Sequence, residues 1–333
     1  MSRILARQQA MEAKVTLMRS TVLGLAVMLT WASLGASQER PRRPGPPRLP
    51  EGVKALRDLQ YVEGGHERNR LDLYLPEQAE GRLPLIVWIH GGAWLGGSKE
   101  GCPAVPLTAK GYAVASINYR LSQHAIFPAQ IEDCKAAIRW LRANADKYDL
   151  DPDHIGAWGA SAGGHLVAML GTAGGVKRLE GQGGNLDRSS RVQCVVDWFG
   201  PSNLLTMGGW HDNPDSPEAR LIGGPVGENQ EKARQASPLT YAGKDSAPFL
   251  IMHGDQDHIV PPGQSEALAE ALKKAGVVVT LQIVAGNGHG GPGFTSPENR
   301  KLIEDFFDKH LRPGRAAGKA EAQLSSPDAR RRP

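Results

Sequence analysis

Cysteine is scarce in this chain, and its scarcity limits how the fold can be stabilised. The 333 residues include three cysteines, Cys102, Cys134 and Cys194, an odd number with no C-x-x-C pair. This spacing does not match a zinc site of the usual Cys/His type, and nothing in it requires a disulfide, although an exported chain could pair two of the three. Cys134 lies in a helical pattern and Cys194 begins an apolar strand. We therefore expect buried, inert thiols, no metal, and a fold stabilised by its hydrophobic core.

The chain also lacks an apolar run near its N-terminus long enough to cross a bilayer comfortably, which takes about 20 residues. The stretch 21–36 is apolar, follows Lys14 and Arg19, and ends in small residues. This is the pattern of a secretory signal peptide. We predict a signal peptide over 1–36, a periplasmic or secreted protein, and no stable membrane insertion after cleavage. An uncleaved anchor helix is the alternative that the pattern leaves open.

The central part of the chain lacks a net positive charge, although the net charge of the whole is +4. Residues 1–50 have eight Lys/Arg against two Asp/Glu, and residues 311–333 have six against two. Residues 51–310 therefore have a net charge of −6. A nucleic-acid-binding surface needs basic residues clustered on the fold, so this distribution argues against nucleic acid as a partner.

Composition separates a central domain, residues 51–311, from its flanking segments. Residues 37–50 include the run RPRRPGPP and are predicted to form an extended, semi-rigid linker. Residues 312–333 are rich in Ala, Gly, Ser and Arg and are predicted to be a disordered basic tail. The central segment is long enough to bury about 70–75% of its unfolded surface in one domain.

Strand and helix patterns alternate along this central segment. Residues 85–89 are a continuous apolar run, which is typical of a strand buried on both faces of a parallel sheet. Residues 129–146 instead place apolar side chains at helical spacing. The alternation predicts an α/β fold with a mostly parallel, doubly wound sheet of about eight strands. The strands are predicted at 57–63, 70–75, 85–89, 112–119, 153–158, 192–199, 248–252 and 277–284, and the helices at 129–146, 162–171, 264–275 and 297–311.

One segment departs from this alternation. Residues 201–247 lack clear periodicity and are rich in Gly, Pro, Asn and Asp. We predict that they form a small cap inserted between two strands, where substrate specificity would reside.

The most informative motif is Gly-Ala-Ser-Ala-Gly at 159–163, which stands between a predicted strand and a predicted helix. A G-x-S-x-G sequence in that context places its serine on a sharp turn with the hydroxyl exposed. The flanking glycines are needed because Cβ atoms there would collide with neighbouring backbone. Ser161 is therefore the predicted nucleophile, and free N–H groups at the start of the following helix point toward any oxyanion formed there.

A nucleophilic serine needs a general base and a carboxylate that orients the base. Among ten histidines, His289 lies in a glycine-rich loop after the last predicted strand and is the predicted base. Asp255 and Asp257 both follow the strand 248–252. We predict that Asp257 reaches the histidine and that Asp255 holds the turn. The order Ser, Asp, His is the order of an α/β-hydrolase triad.

The sequence His-Gly-Gly-Ala-Trp at 90–94 follows a buried strand and supplies a candidate oxyanion loop. Backbone N–H groups of Gly91, Gly92 and Ala93, with that of Ala162 after the nucleophile, are the predicted oxyanion hole. Trp94 is predicted to bind substrate by walling the acyl side of the pocket, with packing in the core beneath the loop as the alternative. This chemistry needs no metal or organic cofactor.

These motifs resemble those of bacterial α/β-hydrolase carboxylesterases, above all the acetyl xylan and feruloyl esterase-like branch related to the hormone-sensitive-lipase group. The resemblance covers about 51–311 and implies Ser161 as nucleophile, Asp257 as acid and His289 as base. Ala93 stands where the lipase group usually has a third glycine, and Ala93-Trp94 resembles kynurenine formamidase and the feruloyl-type enzymes. The segments that carry the resemblance are HGGAW (90–94), NYRL (118–121), FPA (127–129), DPDHI (151–155), GASAGGHL (159–166) and HGDQDHIVP (253–261).

The sequence thus predicts an exported serine carboxylic ester hydrolase that works through an acyl-enzyme on short-acyl or acylated-carbohydrate esters. Its expected partner is a small-molecule or polysaccharide ester, and its oligomeric state stays open. An arylformamidase and a prolyl-oligopeptidase-like peptidase are the enzymatic alternatives. The latter usually has a propeller domain, for which residues 1–50 are too short. A binding module on an inactive hydrolase scaffold is the non-enzymatic alternative, and such scaffolds normally lose a triad residue.

Overall fold

Eight strands form one sheet in the computed structural model, which describes residues 49–312. The strand order is β1-β2-β4-β3-β5-β6-β7-β8, with β1, β2 and β4 pairing antiparallel and β3 to β8 running parallel. The predicted α/β-hydrolase fold with a mostly parallel sheet is confirmed. The strands are β1 (Val53–Gln60), β2 (Arg70–Pro76), β3 (Leu83–Ile89), β4 (Ala113–Ile117), β5 (Leu150–Ala160), β6 (Cys194–Trp198), β7 (Phe249–Gly254) and β8 (Val279–Val284).

Helices connect the parallel strands. The longer ones are α1 (Ala129–Ala143), α2 (Ala162–Thr172), α5 (Gly263–Lys274) and α6 (Pro297–Leu311). Residues 201–247 join β6 to β7 and include two six-residue helices, α3 (Pro217–Ile222) and α4 (Gln230–Gln235), with short 3-10 turns. Their role as a cap stays a prediction.

The core lies on both faces of the sheet. All seven residues of β3 are buried. Leu85, Val87 and Ile89 belong to one hydrophobic cluster, whereas Ile86 and Trp88 belong to the other. Successive side chains on a strand point to opposite faces, so a strand in the middle of this sheet must be apolar throughout.

The structure also bears on the predictions for the cysteines, the flanking segments and membrane crossing. Cys134 and Cys194 are buried and free, and burial raises the pKa of both thiols, which keeps them protonated. The predicted signal peptide 1–36, most of the linker 37–50 and the basic tail after Arg312 lie outside the described residues. Within 49–312, no helix combines the length and the apolar character that a membrane crossing requires.

Candidate active site

Three loops at the carboxyl ends of the parallel strands bring Ser161, His289 and Asp257 together. His289 Nε2 lies 2.8 Å from Ser161 Oγ, and His289 Nδ1 lies 2.7 Å from Asp257 Oδ2. Ser161 follows β5, Asp257 follows β7 and His289 follows β8. A serine hydroxyl hydrogen-bonded to an imidazole that is itself held by a carboxylate is the geometry of an activated nucleophile.

The turn at Ser161 is strained. Its backbone has φ 57° and ψ −121°, a region that non-glycine residues rarely occupy. A Cβ on Gly159 would collide with the carbonyl oxygen of Gly163, and a Cβ on Gly163 with that of Ile89. Glycine is therefore required at both positions because neighbouring backbone lies so close, as the sequence predicted. Neighbouring backbone holds the turn, since Ser161 N–H donates to Trp198 O at 2.8 Å.

Asp257 is a buried carboxylate surrounded by donors. Its Oδ1 accepts from the N–H groups of Ile259 and Val260 at 2.8 and 2.9 Å, while Oδ2 faces His289. Burial alone would raise the pKa of Asp257, but contacts with His253 and His289 and the backbone donors outweigh burial and hold it well below its usual range. The carboxylate is therefore ionised at neutral pH and can hold His289 in the Nδ1–H tautomer.

Asp255 lies in a different environment. It is exposed, and its Oδ1 accepts from Gly286 N–H at 2.8 Å in the loop after β8. Asp257, and not Asp255, therefore lies beside His289.

The loop at 90–94 passes directly beside the nucleophile. A Cβ on Gly91 would lie 2.7 Å from Ala160 O and 3.2 Å from Ser161 Cβ. In the described chain, the N–H groups of Gly91, Gly92 and Ala93 donate no hydrogen bond. Ala162 is the first residue of α2, so its N–H has no partner within the helix. These free donors on two sides of Ser161 suit a developing oxyanion.

His90 supports this loop rather than taking part in proton transfer. Its Nδ1 donates to Gly91 O at 2.7 Å, and its Nε2 accepts from the Arg68 guanidinium at 3.2 Å. The Tyr119 ring stacks on the imidazole at 4.5 Å, and the Tyr119 hydroxyl donates to His90 O. Burial lowers the pKa of His90 to about 4, so the ring is neutral and can make both hydrogen bonds.

The prediction that Trp94 walls the acyl pocket is wrong. The side chain is 2% exposed and belongs to the core. Its indole N–H donates to His165 Nδ1 at 3.2 Å, and the two rings meet edge to face at 5.1 Å. Ala93 and Trp94 both have positive φ, 54° and 56°. A buried indole N–H needs an acceptor, and His165 on α2 provides one beneath the oxyanion loop.

Two residues that the sequence did not predict contact the triad. The Phe199 ring lies 4.6 Å from the His289 ring and follows β6 directly. His253, the residue directly after the predicted strand 248–252, contacts Asp257. No motif assigns a role to either residue. Phe199 and His289 follow different strands, and the contact of His253 with Asp257 depends on the shape of the loop after β7.

One group of side chains in the described region has the composition of a metal site. His66, Glu67 and His124 each offer a ligand atom, and these atoms lie within 4.8 Å of one another. Both imidazoles, however, accept a backbone hydrogen bond at Nδ1. The donor is Arg68 N–H for His66 and Leu121 N–H for His124. Each neutral ring then carries its hydrogen on Nε2, whereas a metal-bound histidine donates from its second nitrogen. This group does not fit a metal ion.

Comparisons with known proteins agree with the fold and with an ester hydrolase. A protein-family profile described as BD-FAE matches residues 71–272. Esterase LipQ of Mycobacterium tuberculosis is 31% identical over 319 residues, which cover 90% of this chain and 75% of LipQ. A truncated form of a carbohydrate esterase from gut microbiota has a TM-score of 0.74 at 38% identity, covering 78% of this chain and 96% of that chain. An acetyl ester-xyloside bifunctional hydrolase from Caldicellulosiruptor lactoaceticus has a TM-score of 0.62 at 29% identity, covering 72% and 87% respectively.

Proposed function

We propose that this chain uses Ser161 to hydrolyse short-acyl esters carried by carbohydrates. The chain belongs to the BD-FAE family and is a carboxylesterase. The observation that supports these roles is the hydrogen-bonded series from Ser161 Oγ through His289 to Asp257. The acylated-carbohydrate substrate is the finer part of the proposal.

Acylation begins when Ser161 Oγ attacks the ester carbonyl carbon while His289 Nε2 takes the hydroxyl proton. The carbonyl oxygen becomes an oxyanion that accepts hydrogen bonds from N–H groups of the predicted oxyanion hole, formed by Gly91, Gly92, Ala93 and Ala162. Each such donor contributes about 2.7–4 kcal/mol of transition-state stabilisation. The tetrahedral adduct then collapses, the bond to the alcohol oxygen breaks, and His289 Nε2–H protonates the leaving alkoxide.

Deacylation repeats the sequence with water. His289 takes a proton from water as the water oxygen attacks the acyl carbon of the ester on Ser161. The second adduct releases the carboxylic acid, and Ser161 Oγ regains its proton from His289. Asp257 stays ionised throughout and stabilises the imidazolium formed in each half-reaction.

Support for a carbohydrate as the alcohol comes from two similar structures, which are named as a carbohydrate esterase and an acetyl ester-xyloside bifunctional hydrolase. Within this chain, Trp210 is 51% exposed and its ring lies 3.8 Å from that of His211. His211 Nε2 donates at 2.8 Å to Ile259 O, two residues beyond Asp257. Trp210 thus offers a flat apolar surface near the acid loop, residues 255–262 between β7 and α5. Such a surface is of the kind that fixes a ring-shaped ligand.

Export completes the proposal. The signal-peptide pattern in residues 1–36 supports a periplasmic or secreted enzyme, where acylated polysaccharides are available. Amino-terminal sequencing of the protein recovered outside the cytoplasm tests it, because cleavage is expected near Gly35 or Ala36. Recovery in the membrane fraction with the leader intact would support the anchor-helix alternative instead.

The substrate proposal is tested by kcat/KM on one matched panel: acetylated xylo-oligosaccharides, p-nitrophenyl acetate, butyrate and octanoate, a feruloyl ester and N-formylkynurenine. We expect acetyl to exceed octanoyl esters and acetylated oligosaccharides to exceed simple acetates. Trp210→Ala should raise KM for the oligosaccharide and leave p-nitrophenyl acetate unchanged, with Trp210→Phe as the control. Highest activity on the formamide would replace this proposal with an arylformamidase.

A further inference from the structure

His253 is a second histidine beside the carboxylate that holds the catalytic base. It is the fifth residue of β7 and is fully buried. Its Nε2 lies 2.9 Å from Val260 O and 3.2 Å from Asp257 Oδ2. Its Nδ1 lies 2.6 Å from Ser265 Oγ on α5. Every nitrogen of this ring therefore has a partner in or next to the acid loop.

The partners determine where the ring carries hydrogen. A peptide carbonyl and an ionised carboxylate can only accept, so Nε2 must be protonated. That N–H donates to Val260 O and presents its positive edge to Asp257 Oδ2. The Ser265 hydroxyl can donate to Nδ1, which fixes the plane of the ring from the side of α5.

Two consequences follow for the acid loop. The hydrogen bond from His253 to Val260 O closes the loop between β7 and Val260, and Val260 N–H in turn donates to Asp257 Oδ1 at 2.9 Å. At the other oxygen, Oδ2 lies between two imidazole nitrogens, at 2.7 Å from His289 and 3.2 Å from His253. The carboxylate is thus oriented from both sides.

We infer that His253 is a positioning residue, which acts on the reaction through Asp257 and sets how strongly Asp257 attracts the protonated form of His289. This inference rests on the proposed roles of Ser161, His289 and Asp257. With the positive edge of His253 removed, the carboxylate would have one donor fewer and its negative charge would be less stabilised. It would then stabilise the His289 imidazolium more strongly and raise the pKa of the base.

Other titratable groups face this cluster and must be considered in any pH profile. Asp197 on β6 is fully buried, interacts electrostatically with His253, and has an Oδ2 with no hydrogen-bond partner among residues 49–312. The uncharged Phe199 ring lies 6.4 Å from the His253 ring. On the acid loop itself, Asp255 and His258 are exposed.

The test compares His253→Leu, His253→Gln and Ser265→Ala in the full chain, with His258→Leu as a control on the exposed side of the same loop. Active sites are counted with a fluorophosphonate, and kcat/KM for p-nitrophenyl acetate is measured from pH 4 to 9. For His253→Leu we expect kcat per active site to fall about 10- to 100-fold. A loss of this size is typical when a metal-binding histidine loses the residue that hydrogen-bonds to it. The acidic limb of the profile should move up by about half a pH unit or more.

Rescue separates positioning from packing. The amide of His253→Gln can still donate to Val260 O and should restore most of kcat and the position of the acidic limb. Ser265→Ala should shift the limb in the same direction by less, and it keeps the test decisive if the leucine variant does not fold. The inference would be overturned if both the leucine and the alanine variants kept the parent's acidic limb in the pH profile and its kcat per active site. If the leucine variant is unfolded, the same result in the alanine variant alone would overturn it. Failure of the proposed function is distinct, because Ser161→Ala would then remain active.

Discussion

Asp255 and Asp257 are two residues apart, yet only one of them can serve the histidine. Asp257 is 4% exposed and receives two backbone N–H groups at one oxygen and His289 at the other. Asp255 is exposed and accepts from Gly286 across the neighbouring loop. The difference arises because the chain turns sharply after Gly254, which sends the first carboxylate outward and the second beneath the imidazole.

Substituting each aspartate by asparagine should give opposite results. Asp257→Asn would hold His289 in the wrong tautomer and lower kcat by about 10⁴-fold with little change in melting temperature. Asp255→Asn should keep kcat within about ten-fold and cost on the order of 1 kcal/mol, because the amide oxygen still accepts from Gly286 N–H but without the charge of the carboxylate. Measuring kcat and unfolding free energy on both variants decides the matter, and the reverse pattern would mean that the acid is assigned wrongly.

Asp197 should make stability depend on pH. Burial raises its pKa to about 6 from a model-compound value of 3.8, so the folded state retains a proton that the unfolded state has lost. Stability from this group therefore falls as pH rises from about 4 to about 6, by about 3 kcal/mol in total, since one pKa unit corresponds to 1.36 kcal/mol. Asp197→Asn keeps the acceptor for Gly200 N–H and removes the charge.

The matching measurement is the difference in unfolding free energy between Asp197→Asn and the parent protein at several pH values. We expect the unfolding free energy of the variant to rise relative to that of the parent from pH 4 to pH 8. A difference that is constant across this range would show that Asp197 does not titrate there.

At this scale, motif and chain order predict the triad, because each of its members has a distinctive local sequence. Trp94 was misplaced for a physical reason. Whether a side chain next to the oxyanion glycines faces substrate or core depends on the backbone dihedrals at Ala93 and Trp94, which the sequence does not specify. The role of His253 could not be predicted, because its contact with Asp257 depends on the shape of the intervening loop.

At the scale of elements, Trp94 joins three parts of the molecule. Its indole N–H donates to His165 on α2, and His165 Nε2 donates to Ala236 O at 2.6 Å in the segment between β6 and β7. Burial lowers the pKa of His165 to about 4, so the ring stays neutral and can accept at one nitrogen while donating at the other. The oxyanion loop is thereby fixed to the helix that begins at the nucleophile.

Trp94→Ala should therefore act on stability and not on acyl selectivity. Removing a buried indole is expected to cost about 3–5 kcal/mol, and His165 Nδ1 would lose its donor. Trp94→Phe keeps the edge contact without the N–H and should cost less. The readouts are melting temperature and the acetyl-to-octanoyl ratio in kcat/KM. A stable alanine variant with a changed ratio would contradict a core position for Trp94.

The sequence also predicts most elements, because long apolar runs and helical periodicity survive in β3, α1 and their neighbours. All eight predicted strands occur, with ends displaced by a few residues, as in β5, which extends from Leu150 to Ala160. Residues 201–247 could not be predicted in the same way. Helices of six residues complete fewer than two turns, so no periodic pattern can develop.

For the whole molecule, sheet topology explains why residues 128 and 32 positions apart in the chain meet. Parallel strands end at one edge, and the loops after β5, β7 and β8 all lie there. Such an edge is where open α/β sheets bind ligands. The order of motifs along the chain therefore predicted the site, although each distance depends on loop structure.

The central claim is that Ser161 is the nucleophile of a serine ester hydrolase, and covalent labelling tests it most directly. The protein is treated with a fluorophosphonate, its intact mass is measured, and the modified peptide is mapped. We predict one label per chain on Ser161, with parallel loss of esterase activity. Ser161→Ala should take up no label and lose about 10⁶-fold in kcat, while keeping the parent melting temperature. Labelling of another residue, or an active Ser161→Ala variant, would contradict the account.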